Sequence, residues 1–378
     1  MSTSIDRRTF LAGAALTVGT GLLNKARTAA DEPKNQAMVR TVLGPVSKEK
    51  LGCTLMHEHA PIVDWSELYE TPGAPLGSLE EKILGHAEKS LRAFHEKLPP
   101  DMRPGTIVEL TPIRVGRYPD LLVKLARRVP VQIVGCTGFW CEAMAPQHPW
   151  ALRLGLEKDG VRKMADLFIR EIREGMEDPA GKWGERFTQV QAGIIKCATS
   201  TYLRPSERRC HEAAAIASIE TGCPITTHTT DGGGLEQAQL FLKLGVKPEK
   251  IVIGHQGHKD DREHAESPDY HKRIADLGCS VQFDRVGHEA YDVEKMARLV
   301  QSLVKAGHTQ RVLFGHDHVP YVYGRYADSE KPISGWNERE ADYSIVNNQL
   351  VPALQRAGVS EKDANTIIVE NPRRVLAF

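Results

Sequence analysis

The chain has 378 residues, with 49 basic and 49 acidic side chains and a formal net charge of zero. Neither sign forms a long block, so the basic footprint of a nucleic-acid binder is absent and no nucleic-acid partner is expected. Length alone suggests two domains, but single α/β barrels reach this size and nothing forces a split.

At the N-terminus, Arg7 and Arg8 stand directly before a Gly-interrupted apolar run that ends near Leu23. Spanning a bilayer takes roughly 20 apolar residues, and this run falls short. Residues 1–30 therefore read as a twin-arginine export signal, with Thr28-Ala29-Ala30 offering a cleavage site, and an uncleaved membrane tether as the alternative. The expected location is periplasmic or secreted, with no stable membrane association after cleavage. A polar linker covers 31–37 and the folded domain 38–378.

Beyond the linker one pattern recurs: a short apolar run, a polar or Gly-containing loop, then a longer amphipathic stretch. The runs are CTLMHEH, TIVELTP, VQIVGCTG, AGIIKCATS, PITTHTT, KIVIGHQG, SVQFDRVG and RVLFGHDH. Alternation of this kind predicts βα units around a parallel sheet. Helical spacing in DLFIREIREGMED and EKMARLVQSLVKAG supports it. Eight units are what a closed (β/α)8 TIM barrel requires, although an open doubly wound sheet stays in play. No GxGxxG follows the first run, and DGGGLEQ lacks the Lys-Ser or Lys-Thr of a phosphate loop.

Two segments break the rhythm: a Pro/Gly-containing insert from Glu177 to Gln189, and a long aromatic-bearing loop from Tyr321 to Glu340. Long loops after barrel strands commonly form substrate pockets. The seven cysteines include no CxxC pair, and five of them (Cys53, Cys136, Cys197, Cys223 and Cys279) lie in or beside the apolar runs as packing residues. We expect neither a disulfide framework nor a zinc–thiolate site.

The polar residues that interrupt the strands fall near their C-terminal ends, where barrel active sites lie. His57 and His59 are two apart and share a face of the first strand. His228, His255 and Asp317 end the fifth, sixth and eighth. Lys196 sits inside the otherwise apolar fourth strand, and a lysine there snorkels to solvent, pairs with a carboxylate or has a use. Burial can depress a lysine pKa by up to ~3–5 units and make the neutral amine accessible. A neutral amine reacts with carbon dioxide to give a carbamate, whose two oxygens can bridge two cations. Such a pair brings the pKa of a bridging water from ~15.7 towards ~7.

Taken in order, TLMHEH, AGIIKCAT, PITTHT, IGH and GHDH resemble the phosphotriesterase family of the amidohydrolase superfamily, and the closing VENPRRVL is similar to the family's C-terminal Asn-Pro motif. The resemblance implies a TIM barrel with a binuclear metal centre at the C-terminal strand ends. It implies His57, His59 and Asp317 as ligands of the more buried ion, and His228 and His255 as ligands of the more exposed one. Carbamylated Lys196 would bridge the two divalent metals, and Asp317 would also orient the attacking hydroxide and take its proton. Zinc suits the ligands, and cobalt, manganese or iron fit similar sites. Family members are often homodimers.

The resemblance implies a small-molecule ester or lactone as substrate, and the sequence leans two ways. FDRVG resembles the lactonase-like branch, with Arg285 near the substrate mouth, whereas Trp140 stands where those lactonases place a tyrosine and phosphotriesterases a tryptophan. An indole cannot reproduce the phenol's contact with a carbonyl. Tyr321 joins these two as a pocket candidate. His258 replaces the family's aspartate three residues after the sixth-strand histidine and is read either as a proton relay from Asp317 or as a solvent-exposed loop residue. The expected function is hydrolysis of a lactone or related carboxylic ester, with phosphotriesterase activity as primary alternative or side reaction. A non-catalytic metal- or ligand-binding protein is the competing class, which retention of Asp317 disfavours.

Overall fold

The computed structural model describes residues 37–60, 62–63, 78–140, 149–182, 184–199, 203–229, 233–257, 267–287, 292–318, 322–323 and 342–378. The leader, nearly all of the linker, His258, Tyr321 and most of the loop from Tyr321 to Glu340 lie outside them.

Every one of the eight apolar runs forms a strand: β1 Thr54–Glu58, β2 Thr106–Glu109, β3 Gln132–Gly138, β4 Ile194–Ala198, β5 Ile225–His228, β6 Ile251–Ile253, β7 Ser280–Phe283 and β8 Val312–Phe314. They pair in parallel in chain order from β1 to β8. The seam between β8 and β1 closes through residues just past the strand ends. There the Asp317 amide donates to the His57 carbonyl at 2.8 Å and the His59 amide to the His318 carbonyl at 2.9 Å. Gly315 makes this approach feasible, since a Cβ there would stand 2.8 Å from the His57 nitrogen. The closed barrel, not the open sheet, is the fold.

Helices cross from each strand to the next: α1 Ser78–Lys97, α2 Pro119–Arg128, α3 Pro149–Leu156, α4 Gly160–Arg173, α5 Pro205–Thr221, α6 Gly234–Lys243, α7 Pro268–Asp276 and α8 Val293–Lys305. Proline at the first turn of α2, α5 and α7 starts a helix where an amide would lack a partner anyway. In α4, Met164, Ala165, Phe168 and Ile172 recur at helical spacing and are buried against the barrel. Met164, Phe168 and Ile172 each contribute about 1.5–3 kcal/mol by leaving water.

Two apolar layers result. A large one lies between strands and helices, and a smaller one fills the barrel with Val108, Val134, Ile194, Val252 and Leu313. Val39, Leu51, Val375 and Leu376 join the inner layer. They come from residues 38–51, which open with the antiparallel hairpin Met38–Thr41 and Gly44–Ser47, and from the helix Asn371–Leu376, and the Phe378 amide just after that helix donates to the Met38 carbonyl at 3.0 Å. The six described cysteines are free and buried, as expected of packing residues.

Candidate active site

At the top of the barrel, polar side chains displace the apolar filling. His57, Lys196 and His228 come from β1, β4 and β5, while His59, His255 and Asp317 lie just beyond β1, β6 and β8; all are buried. His255 and Asp317 have φ of 55°, and Arg285 has φ of 60°. Non-glycine residues hold that left-handed conformation only when their surroundings enforce it, and such residues cluster at functional sites.

Asp284, just past β7, organises two imidazoles. Its Oδ2 accepts from His57 Nδ1 at 2.9 Å and its Oδ1 from His255 Nδ1 at 2.5 Å. Gln282 Nε2 and the His255 amide also donate to Oδ2, at 2.7 and 3.1 Å. A carboxylate is acceptor-only, so each ring carries its proton on Nδ1 and turns the Nε2 lone pair inward. Burial raises the Asp284 carboxyl, but the His255 and His57 imidazoles more than offset this and hold it well below the usual range. In the same way burial drives His255 down to about 3, and it lowers His57 with help from Lys196.

His59 is oriented from behind in a similar way. Its Nδ1 lies 2.8 Å from Thr111 Oγ1, and the Thr111 hydroxyl donates in turn to Glu109. His59 Nε2 then faces Asp317 Oδ1 at 3.1 Å, and His57 Nε2 faces the same oxygen at 3.4 Å. Three lone pairs thus converge, and these ligand atoms lie within 4.8 Å of one another. Opposite them, His255 Nε2 and His228 Nδ1 are 2.6 Å apart and share one proton, which a metal ion would replace. Burial pushes His228 well down, with His255 adding to the effect, so the ring is neutral and able to ligate.

Lys196 is fully buried between these groups, its Nζ 2.9 Å from His57 Nε2. It does not snorkel. Burial lowers its pKa from 10.5 to about 8, against the pull of Asp317 and Asp284. Roughly one amine in ten is then neutral at pH 7. Donor type, inward lone pairs and a reactive amine all fit a pair of divalent cations.

Arg285 does more than stand near the mouth, for its Nε donates to Asp317 Oδ2 at 2.8 Å. Trp140 is half-buried, its ring centroid 4.6 Å from that of His228 and 5.9 Å from Lys196 Nζ. The six expected ligands therefore meet, with Arg285 and Trp140 beside them. Sequence reasoning passed over Asp284, Gln282, Thr111, Glu109 and Glu58. Only Asp284 left a signal, as an acid ending a strand two residues after Gln282 and hence on the same face.

A parallel barrel whose C-terminal mouth gathers imidazoles, carboxylates and a buried lysine defines a barrel hydrolase with groups able to bind metal. The profile of the phosphotriesterase family matches residues 37–376, and the chain belongs to that family. It is 30% identical to a phosphotriesterase homology protein of Mycobacterium tuberculosis, over 89% of this chain and 97% of that one. An aryldialkylphosphatase of Saccharolobus solfataricus is 28% identical over 87% of this chain and 96% of its own length. Among solved structures, a mutant PTE-like lactonase of Deinococcus radiodurans superposes with a TM-score of 0.73 at 27% identity. That superposition covers 89% of this chain and 99% of the lactonase.

Proposed function

We propose that the protein is a binuclear-metal hydrolase that cleaves a lactone or related carboxylic ester. The observation that carries this is the convergence of His57, His59 and Asp317 lone pairs opposite the His228–His255 pair, with Lys196 buried between them. Two divalent ions, zinc by the donor set, would be held by these residues and by Lys196 as its carbamate, and would supply hydroxide at neutral pH and polarise the ester's carbonyl oxygen.

The chain's own residues do the rest. Asp317 takes up the proton released as the attacking oxygen bonds to the acyl carbon; the acyl–alkoxy C–O bond then breaks, and the departing alkoxide takes a proton from solvent. Arg285 fixes the Asp317 carboxylate through Oδ2 and leaves Oδ1 facing His57 and His59. The Trp140 indole covers the His228 side and excludes water from it. His258, outside the described residues, is proposed to relay the proton from Asp317 outward, its unperturbed pKa of ~6.5 suiting the task. Tyr321 is proposed to line the substrate pocket.

Primary hydrolysis of a phosphotriester is the second reading. Trp140 favours it, since an indole against His228 offers an apolar wall and no hydroxyl for a lactone carbonyl. The deciding measurement compares kcat/KM of the zinc-loaded protein on aliphatic lactones and an aryl phosphotriester, with Lys196→Ala as control. Lactones are expected to win by at least 100-fold, about 2.7 kcal/mol of transition-state binding, and the variant to be inactive. A reversed preference establishes the second reading, and turnover by Lys196→Ala without metal would overturn both.

Export of residues 31–378 as a folded, metal-loaded protein, and assembly as a homodimer, complete the proposal.

A further inference from the structure

We propose that Glu58 and His316 form a positioning pair behind the barrel wall, which sets the angle at which Asp317 enters the site. This rests on the reading of Asp317 as ligand and proton acceptor.

At the end of β1 the flanking His57 and His59 face the site, while Glu58 lies between them in sequence and meets the backbone on either side of Asp317. It is fully buried. Its Oε1 accepts from the His316 amide at 2.7 Å and from His316 Nδ1 at 2.8 Å, and its Oε2 accepts from the His318 amide at 3.2 Å. The two amides that bracket Asp317 therefore close on one carboxyl group, and with the His316 ring N–H they leave it only donors to meet, which favours the anion although burial pushes its pKa up. Successive N–H groups around a left-handed residue make such an anion cradle, and Asp317 is that residue, with φ of 55°.

The ring of His316 is fixed in turn. The Val346 amide donates to its Nε2 at 3.0 Å, which leaves the proton on Nδ1 for Glu58. The Tyr343 hydroxyl donates to the His59 carbonyl at 2.8 Å, so the segment that resumes at Asp342 is tied to the same seam twice. The Asp317 and His59 backbone bonds to the opposite strand end complete it. Each contact to the Glu58 side chain comes from a donor, which an isosteric amide cannot satisfy. Glutamine has a single acceptor oxygen, and its NH2 must confront one of these N–H groups.

Glu58→Gln tests the pair. In the metal-loaded protein kcat is expected to fall 10–100-fold with KM changed less than threefold and metal content intact, the range usual for groups that orient a ligand from behind. In a crystal structure of the variant, Asp317 is expected to leave the left-handed region and withdraw from His59. That readout needs no substrate, so it decides the pair even if neither lactones nor phosphotriesters are turned over. Should Glu58→Gln fail to fold, His316→Leu removes one of the three donors, with the same split at about a tenfold loss of kcat. Unchanged kcat, a loss that merely follows lost metal, or an unmoved Asp317 would overturn the proposal.

Discussion

Asp284 shows how much one side chain does without entering the reaction. By taking the Nδ1 protons of both His57 and His255 it presents two Nε2 lone pairs to the interior. Removing it with Asp284→Ala frees both rings to turn, and metal affinity, read by chelator competition, is expected to fall 10–100-fold. Lys196 gives a prediction with a sign. In the metal-free protein its pKa is lowered from 10.5 to about 8, so between those values the unfolded chain holds a proton that the folded one has lost. Stability therefore rises with pH across that window and carries the full cost of the buried ammonium below about pH 8. Lys196→Met is expected to exceed the parent in urea midpoint most at pH 7, with the gap closing by about pH 10. A constant gap would show that the lysine does not titrate there.

At the level of elements, the insert from Glu177 to Gln189 is held by charges that no local pattern reveals. Arg117, in the loop after β2, makes a two-pronged pair with Glu171 of α4 at 2.8 and 2.7 Å, and Arg114 donates to Glu177 at 2.9 Å. All four side chains are buried. The partners stand 54 and 63 residues apart, so the sequence shows them only as ordinary charges in a helix and a loop. Breaking one buried pair strands a charge in low dielectric. Arg117→Leu is expected to cost about 3–5 kcal/mol in urea unfolding, and Arg117→Leu with Glu171→Leu to recover most of that. If the single variant loses under about 1 kcal/mol, the pair is solvated in solution and the insert is held by other contacts.

For the whole molecule, the leader and the folded domain make separate predictions. Replacing Arg7 and Arg8 by lysine is expected to retain the full-length protein in the cytoplasm, read by fractionation, while residues 38–378 alone keep metal content and turnover. Export that ignores the two arginines would remove the twin-arginine reading.

The barrel and its candidate ligands were legible in the sequence for a physical reason. Strands buried on both faces must be apolar, so polar residues at their C-terminal ends stand out, and eight such runs in order leave few architectures. His57, His59, Lys196, His228, His255 and Asp317 were readable because each breaks that rule. Only the tertiary structure decided that β1 and β8 close, that Arg285 turns onto Asp317, and that Asp284 meets His57, Thr111 meets His59 and Glu58 meets the His316 and His318 amides. Those partners come from different strands, up to 260 residues apart. A carboxylate at a strand end looks the same in sequence whether it meets a ring, an amide or water. Closing the barrel is what selects its partner.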